Sequence, residues 1–150
     1  VYNSDFFGVL KDGRAIIGTG AEYNELLEKG ELMEAVSSFG TRLVKDGKIQ
    51  VTSTSNYFTD RASRTAIGVT KTGKVVMLVI DGRQIISIGA TLQDLVDIFL
   101  EYGAVNACNL DGGSSSMMWY KDGYISAVSA ETYGAMEYAL TRIEERIKGE

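Results

Sequence analysis

The run Asn109-Leu110-Asp111-Gly112-Gly113-Ser114-Ser115-Ser116 gathers a side-chain amide, a carboxylate, two adjacent glycines and three hydroxyls at the end of an apolar stretch. Adjacent glycines let backbone N–H groups approach a ligand that a Cβ would repel, and such groups form anion-binding nests. A carboxylate beside them can serve as a base or a nucleophile. The plain alternative is a turn, because Asp-Gly is a favoured hairpin dipeptide and serines after it are ordinary loop residues. The chain carries its own control. Asp12-Gly13, Asp46-Gly47 and Asp122-Gly123 each follow a lysine, as solvated turns do, whereas Asp81-Gly82 and Asp111-Gly112 follow Ile80 and Leu110 at the ends of apolar runs. Asp81 and Asp111 are therefore the candidate reactive carboxylates.

What is missing narrows the chemistry further. The chain has no histidine, which excludes Ser-His-Asp and Cys-His nucleophile systems and histidine-ligated zinc. Proton transfer falls to Asp or Glu, with Tyr and Lys as outsiders. A net charge of −5 argues against nucleic acid as a partner, since phosphate backbones are met by clustered Lys and Arg. A small anion held by one or two arginines is compatible with it. The apolar runs, such as Val75 to Ile80, fall far short of the roughly 20 residues of a membrane-spanning helix. Cys108 is the only cysteine; no internal disulfide can form, and the residue reads as a small buried hydrophobe. Numbering from Asp111 as the first position of an EF-hand loop puts Gly113, Ser115 and Asp122 at the third, fifth and twelfth, without the carboxylates and glutamate such a loop needs. No cofactor is expected, and a divalent cation such as calcium or magnesium held between Asp81 and Asp111 is the alternative, which would shift the chemistry toward hydrolysis at phosphorus.

The elements that must position these residues follow from periodicity. At 150 residues, with 45% hydrophobic and 23% charged side chains, the chain fits a single globular domain. Val1 to Phe7 reads as a strand carrying Asn3 and Asp5, and Ala15 to Ile17 as a second after the turn at Lys11-Asp12-Gly13. Gly18-Thr19-Gly20 lacks the third glycine of a dinucleotide fingerprint. Residues 21–37 place Leu26, Leu27, Leu32, Met33 and Val36 among glutamates, which predicts helical turns interrupted at Gly30. Phe39 to Val44 and Lys48 to Thr52 form a hairpin, and a polar loop over residues 57–62 delivers Arg61 and Arg64 to strands 65–69 and 74–80. Thr91, with Asp94 three residues on, opens a helix over 91–102 that Gly103 stops. Strands precede and follow the Asp111 loop, at Ala104–Cys108 and Met117–Tyr120. Met136, Leu140, Ile143 and Ile147 recur at helical spacing, with a strand over 136–140 as the alternative. The order predicts an α+β domain, with a largely antiparallel or mixed curved sheet and a few helices.

From Arg64 to Trp119 the chain resembles the phosphodiester glycosidase family. The matching features are Arg64-Thr65-Ala66-Ile67-Gly68, Asp81-Gly82-Arg83, Gly89 with Thr91-Leu92, Gly103-Ala104, and Asn109-Leu110-Asp111-Gly112-Gly113 with Ser115-Ser116. Weaker similarity covers Phe39 to Gly47, Tyr2-Asn3 and Phe6-Phe7, which suggests that upstream family sequence is missing from residues 1–150. Two departures stand out: Ser114 replaces a usual third glycine, and Gly134-Ala135-Met136 replaces a segment that often holds an arginine.

The resemblance implies cleavage between a sugar's anomeric carbon and a phosphate oxygen, in cell-wall, exopolysaccharide or glycolipid phosphodiesters. A phosphate with a second pKa near about 6 departs as a stable anion, so the acid that ordinary glycosidases supply to an alcohol is dispensable. Arg64 and Arg83 would grip the phosphate. Asp111 would act as nucleophile or as base for water, and Asp81 would orient Arg83 or a sugar hydroxyl. Asn109, Ser115, Asn3 and the N–H groups of Gly112 and Gly113 would bind substrate. Two other functions remain in play, a non-catalytic phosphosugar-binding module and a metal-dependent phosphodiesterase. The family's bacterial members imply a secreted or cell-surface location.

Overall fold

The computed structural model describes residues 4–40, 42–55, 59–82 and 87–126. Asn3, Arg83 and the C-terminal helix expected around Met136 to Ile147 lie outside them.

The central layer is a five-stranded antiparallel sheet in the order β5-β4-β8-β6-β7, formed by β4 (Arg42–Lys45), β5 (Lys48–Ile49), β6 (Arg64–Thr70), β7 (Val75–Ile80) and β8 (Ala104–Asn109). Short polar turns make the adjacent hairpins. At Asp46-Gly47 both residues have positive φ, 49° and 74°, the backbone that Asp-Gly supplies in a two-residue hairpin turn. Register shifts fall between Arg42 and Val44 and between Val69 and Thr70, the kind of irregularity that bends a strand.

One face of this sheet is covered by α2 (Leu92–Glu101). Its capping box matches the sequence: the Thr91 hydroxyl accepts from the Asp94 N–H, and the Asp94 carboxylate accepts from the Thr91 N–H. Leu92, Leu95, Val96 and Phe99 are buried among Leu43, Val44, Ala66, Ala104 and Ala107. Each contributes about 1.5–3 kcal/mol of apolar burial. Gly68 is what lets the helix sit close, since a Cβ there would stand 2.6 Å from the Phe99 ring.

The other face meets a three-stranded antiparallel sheet in the order β2-β1-β3, made of β1 (Phe6–Leu10), β2 (Ala15–Gly18) and β3 (Leu32–Ser37). Ile17, Phe7 and Ala15 pack there against Ile67, Val69, Cys108 and Leu110. Helix α1 (Gly20–Glu28) joins this sheet through Tyr23, whose ring lies edge-on to Phe6 at 5.3 Å. A small hairpin, β9 (Trp119–Tyr120) and β10 (Gly123–Tyr124), follows the Asp111 loop.

The α+β prediction, with a largely antiparallel sheet, describes this architecture. The helical reading of residues 21–37 holds only to Glu28. Gly30, at φ 66°, ends the helix, and Leu32–Ser37 pairs with β1 as strand β3. Leu32, Met33 and Val36 fit a helical stripe by spacing, yet the β1 edge takes their backbone groups. The strand expected at Met117–Tyr120 is confined to Trp119–Tyr120, and that expected at Lys48–Thr52 to Lys48–Ile49.

Candidate functional site

Strand β6 begins at Arg64, and both of its neighbours run antiparallel to it, so both end where it starts. Arg64 pairs with Ile80 at the end of β7, which is followed by Asp81; Ala66 pairs with Asn109 at the end of β8, which is followed by Leu110 and Asp111. The two carboxylate-bearing turns thus leave the same end of the sheet on either side of one strand. Two strand spacings separate their backbones, about 10 Å.

The chain just before Arg64 is the hub around which these turns close. Gly113 N–H donates to Ser63 O at 2.8 Å, and Leu110 N–H to Thr65 O at 2.8 Å, tying the Asp111 loop along Ser63–Thr65. On the other side the Ser63 hydroxyl donates to Gly82 O at 3.2 Å. Ala62 and Ala90 exchange both backbone hydrogen bonds, bringing Gly89 against the hub. A Cβ added at Gly82 would lie 2.4 Å from Ser63 N, and one at Gly112 2.9 Å from Ser63 O. These glycines are therefore set by close approach of main chain to main chain, independently of any ligand.

Asp111 is exposed. Its Oδ1 accepts from the Gly112 N–H at 2.9 Å and its Oδ2 from the Ser115 hydroxyl at 2.8 Å, the latter across the short 3-10 turn Gly113–Ser115. Each carboxylate oxygen has two lone pairs. The loop thus aims Asp111 while leaving it capacity to accept a further bond. Ser115 and Gly112 orient the carboxylate directly.

Arg64 is only 7% exposed. Its Nε donates to Ala90 O at 3.0 Å and its Nη2 to Asp60 O at 2.6 Å, so two of its donors brace the walls of the site. Asn109 is buried as well. Its Nδ2 donates to Phe39 O at 3.1 Å and Leu110 O at 2.8 Å, while its Oδ1 is buried without a partner among the described residues. Asp81 stands at the end of β7, and its carbonyl accepts from the Ser87 hydroxyl. Among the described residues no three Cys, Asp or Glu side chains come together as a metal-holding group.

Three residues at this end were not singled out as site residues from the sequence. Ser63 is one. The others are Arg42 and Asp5, whose Nε and Oδ2 lie 2.7 Å apart in a largely buried ion pair between the two sheets. A lone charge opening the apolar run Leu43-Val44, and another directly before Phe6-Phe7, were the available signals. Cys108, opposite Arg42 in the β4–β8 register, is fully buried. Burial pushes its thiol up to about 12, so it is inert packing, as its apolar neighbours in the sequence suggested.

A family model described as phosphodiester glycosidase matches residues 3–141. The SPbeta prophage-derived uncharacterized protein YomE of Bacillus subtilis is 36% identical over 106 residues, covering 69% of this chain and 16% of that protein. The Bos taurus N-acetylglucosamine-1-phosphodiester alpha-N-acetylglucosaminidase is 31% identical over 124 residues, covering 73% of this chain and 23% of that protein. The chain therefore spans less than a quarter of the length of these relatives. Among solved structures, the zebrafish N-acetylglucosamine-1-phosphodiester alpha-N-acetylglucosaminidase catalytic domain, auto-inhibited by its pro-peptide, superposes with a TM-score of 0.62 at 23% identity, over 85% of this chain and 48% of that one. A hypothetical protein from Synechocystis superposes with a TM-score of 0.57 at 20% identity, over 87% of this chain and 32% of that one. The two superpositions speak to the fold.

Proposed function

We infer, from the premise that the chain belongs to the phosphodiester glycosidase family, that it hydrolyses the bond between a sugar's anomeric carbon and the phosphate of a sugar 1-phosphodiester. The observation that carries this reading is the convergence of Asp81-Gly82 and Asp111-Gly112-Gly113 on Ser63-Arg64 at one end of the central sheet.

In this reading the C1–O bond breaks with its electron pair going to the phosphate monoester, which leaves as an anion; the oxygen of a water bonds to C1, and that water's proton passes to solvent, by way of Asp111 where Asp111 is the base. The leaving group needs positive charge and the carbon needs negative charge as it becomes oxocarbenium-like. Asp111, aimed by Gly112 N–H and Ser115 Oγ, supplies the carboxylate, either as nucleophile or as base for the water. Arg64 stiffens the wall beside it and, together with Arg83, two residues past Asp81 in the sequence, is the candidate for gripping the phosphate. Asp81 orients Arg83 or a sugar hydroxyl. Asn109 and Asn3 are the remaining candidates for binding substrate. Substrates of the cell-wall, exopolysaccharide or glycolipid type are proposed on this chemistry, with the reaction taking place outside the cytoplasm.

A binding-only reading has one observation in its favour: both oxygens of Asp111 already serve their own loop. Turnover of methyl N-acetylglucosaminyl phosphate decides between them. We expect free N-acetylglucosamine and methyl phosphate, release that is unaffected by a chelator, and a fall of about 10²–10⁴-fold in kcat for Asp111→Asn, the range for loss of a positioned proton-transfer group. Binding of N-acetylglucosamine 1-phosphate without turnover would establish the non-catalytic module. Chelator-sensitive release of N-acetylglucosamine 1-phosphate would instead establish a metal-dependent phosphodiesterase.

A further inference from the structure

We propose that Arg42 is a positioning residue for the Asp111 loop, acting through a latch with Asp5 that holds the lead-in to β4 against the end of β8. For its catalytic readout the proposal rests on the hydrolase reading above.

The latch is a closed circuit of named contacts. Asp5 grips the lead-in at two points: its carbonyl accepts from Ser38 N–H at 2.8 Å, and its carboxylate Oδ2 accepts from Arg42 Nε at 2.7 Å. Between those points the lead-in grips Asn109 twice. Phe39 N–H donates to Asn109 O at 2.8 Å, and Phe39 O accepts from Asn109 Nδ2 at 3.1 Å. Asn109 is the root of the Asp111 loop. On its other side main-chain bonds tie that loop from Leu110 and Gly113 to Thr65 and Ser63. Asp5 lies just before β1 and Arg42 opens β4, so the ion pair ties one sheet to the other at the end where the candidate site sits.

Stability alone is a poor reason for this pair. Arg42 is 8% exposed, and its Nη2 is buried with no partner among the described residues. A buried ion pair with an unmet donor is commonly matched or bettered by apolar side chains of similar size, and an unsatisfied buried group calls for another explanation. Holding Asn109, and through it the aim of Asp111, is one that the circuit provides. Displacement of a catalytic group by about 1 Å is enough to cost about 10²-fold in rate.

The test is the double variant Asp5→Leu/Arg42→Met, which removes both charges together so that neither is left buried alone. Its thermal midpoint is compared with wild type, amide exchange is followed at Phe39, Leu110 and Gly113, and kcat and KM are measured on methyl N-acetylglucosaminyl phosphate. We expect a folded protein that loses exchange protection at these amides and loses about 10- to 100-fold in kcat, with KM nearly unchanged. Unchanged protection overturns the latch, whatever happens to kcat, because an effect on rate would then travel by another route. Lost protection with wild-type kcat overturns the positioning role. Should the double variant fail to fold, Arg42→Lys, which retains the charge but lacks Nε, is read in the same way. If wild type itself releases no sugar, the hydrolase reading fails separately, and the exchange data still decide whether Arg42 and Asp5 hold the loop.

Discussion

At the residue scale the site is governed by how closely main chain approaches main chain. Gly112 has an extended backbone, φ −125° and ψ −158°, that any residue could adopt, so its identity is fixed by space. A Cβ there would come 2.9 Å from the Ser63 carbonyl oxygen, which also accepts from Gly113 N–H. Gly112→Ala should therefore push the loop off Ser63, and we expect about 10²-fold lower kcat with a stability loss of about 1–3 kcal/mol, measured by turnover alongside thermal unfolding. An unchanged kcat would mean that the loop tolerates the shift and that Asp111 does not need its aim. The sequence carried this site unevenly. Asp81 and Asp111 stood out because apolar residues precede them, where the other Asp-Gly pairs follow lysine. Arg64 was legible as a charge at a strand end, but its donation to the Ala90 carbonyl depends on a contact 26 residues away, which no local pattern encodes. Arg42 and Asp5 escaped for the same reason: their pairing spans 37 residues.

The elements were legible in proportion to how local their causes are. Helix α2 and its capping box could be read because Thr91, Asp94 and the Leu92-Leu95-Val96-Phe99 stripe all act within one stretch of chain. Strand β3 could not, because what makes Leu32–Ser37 extended is the β1 edge it pairs with. Both capping boxes carry a pH signature. Glu22 is held below its ordinary value of 4.5 chiefly by the Thr19 N–H, and Asp94 below 3.8 chiefly by the Thr91 N–H, with Arg61 adding to it. In acid the unfolded chain therefore binds more protons than the folded one. The stabilisation is full above the ordinary pKa values and is lost as pH falls through the lower folded ones. Wild type should lose stability below about pH 4.5. Asp94→Asn should start lower, by about 0.5–2 kcal/mol at neutral pH, and fall less steeply in acid. Chemical denaturation at pH 7 and in steps below pH 5 checks this, and parallel curves for the two proteins would remove the cap as the cause.

On the scale of the whole molecule, the start of β6 and the ends of β7 and β8 meet at one edge of the central sheet, and a buried seam joins that sheet to the three-stranded one. Cys108 marks that seam. It is fully buried beside Ile17, Ile67 and Val69, with its thiol held at about 12, principally by burial, against an ordinary 9.0. The sign of the linkage is fixed by this direction: between those two values the folded chain keeps a proton that the unfolded chain releases, so stability is full below about pH 9 and falls as pH rises toward 12. Cys108→Ala removes this alkaline loss while leaving a small void in the seam, at a cost of about 1 kcal/mol. The same thiol reports whether the two sheets part as a unit. At pH 8 a thiol-specific disulfide reagent should react with native protein only as fast as the seam opens. Labelling rates should then track the free energy of global unfolding as denaturant is added, because no smaller opening exposes a side chain covered by both sheets. Labelling that is rapid in native buffer and indifferent to denaturant would show that the three-stranded sheet separates from the central one by itself. The seam would then be a moving part rather than a foundation.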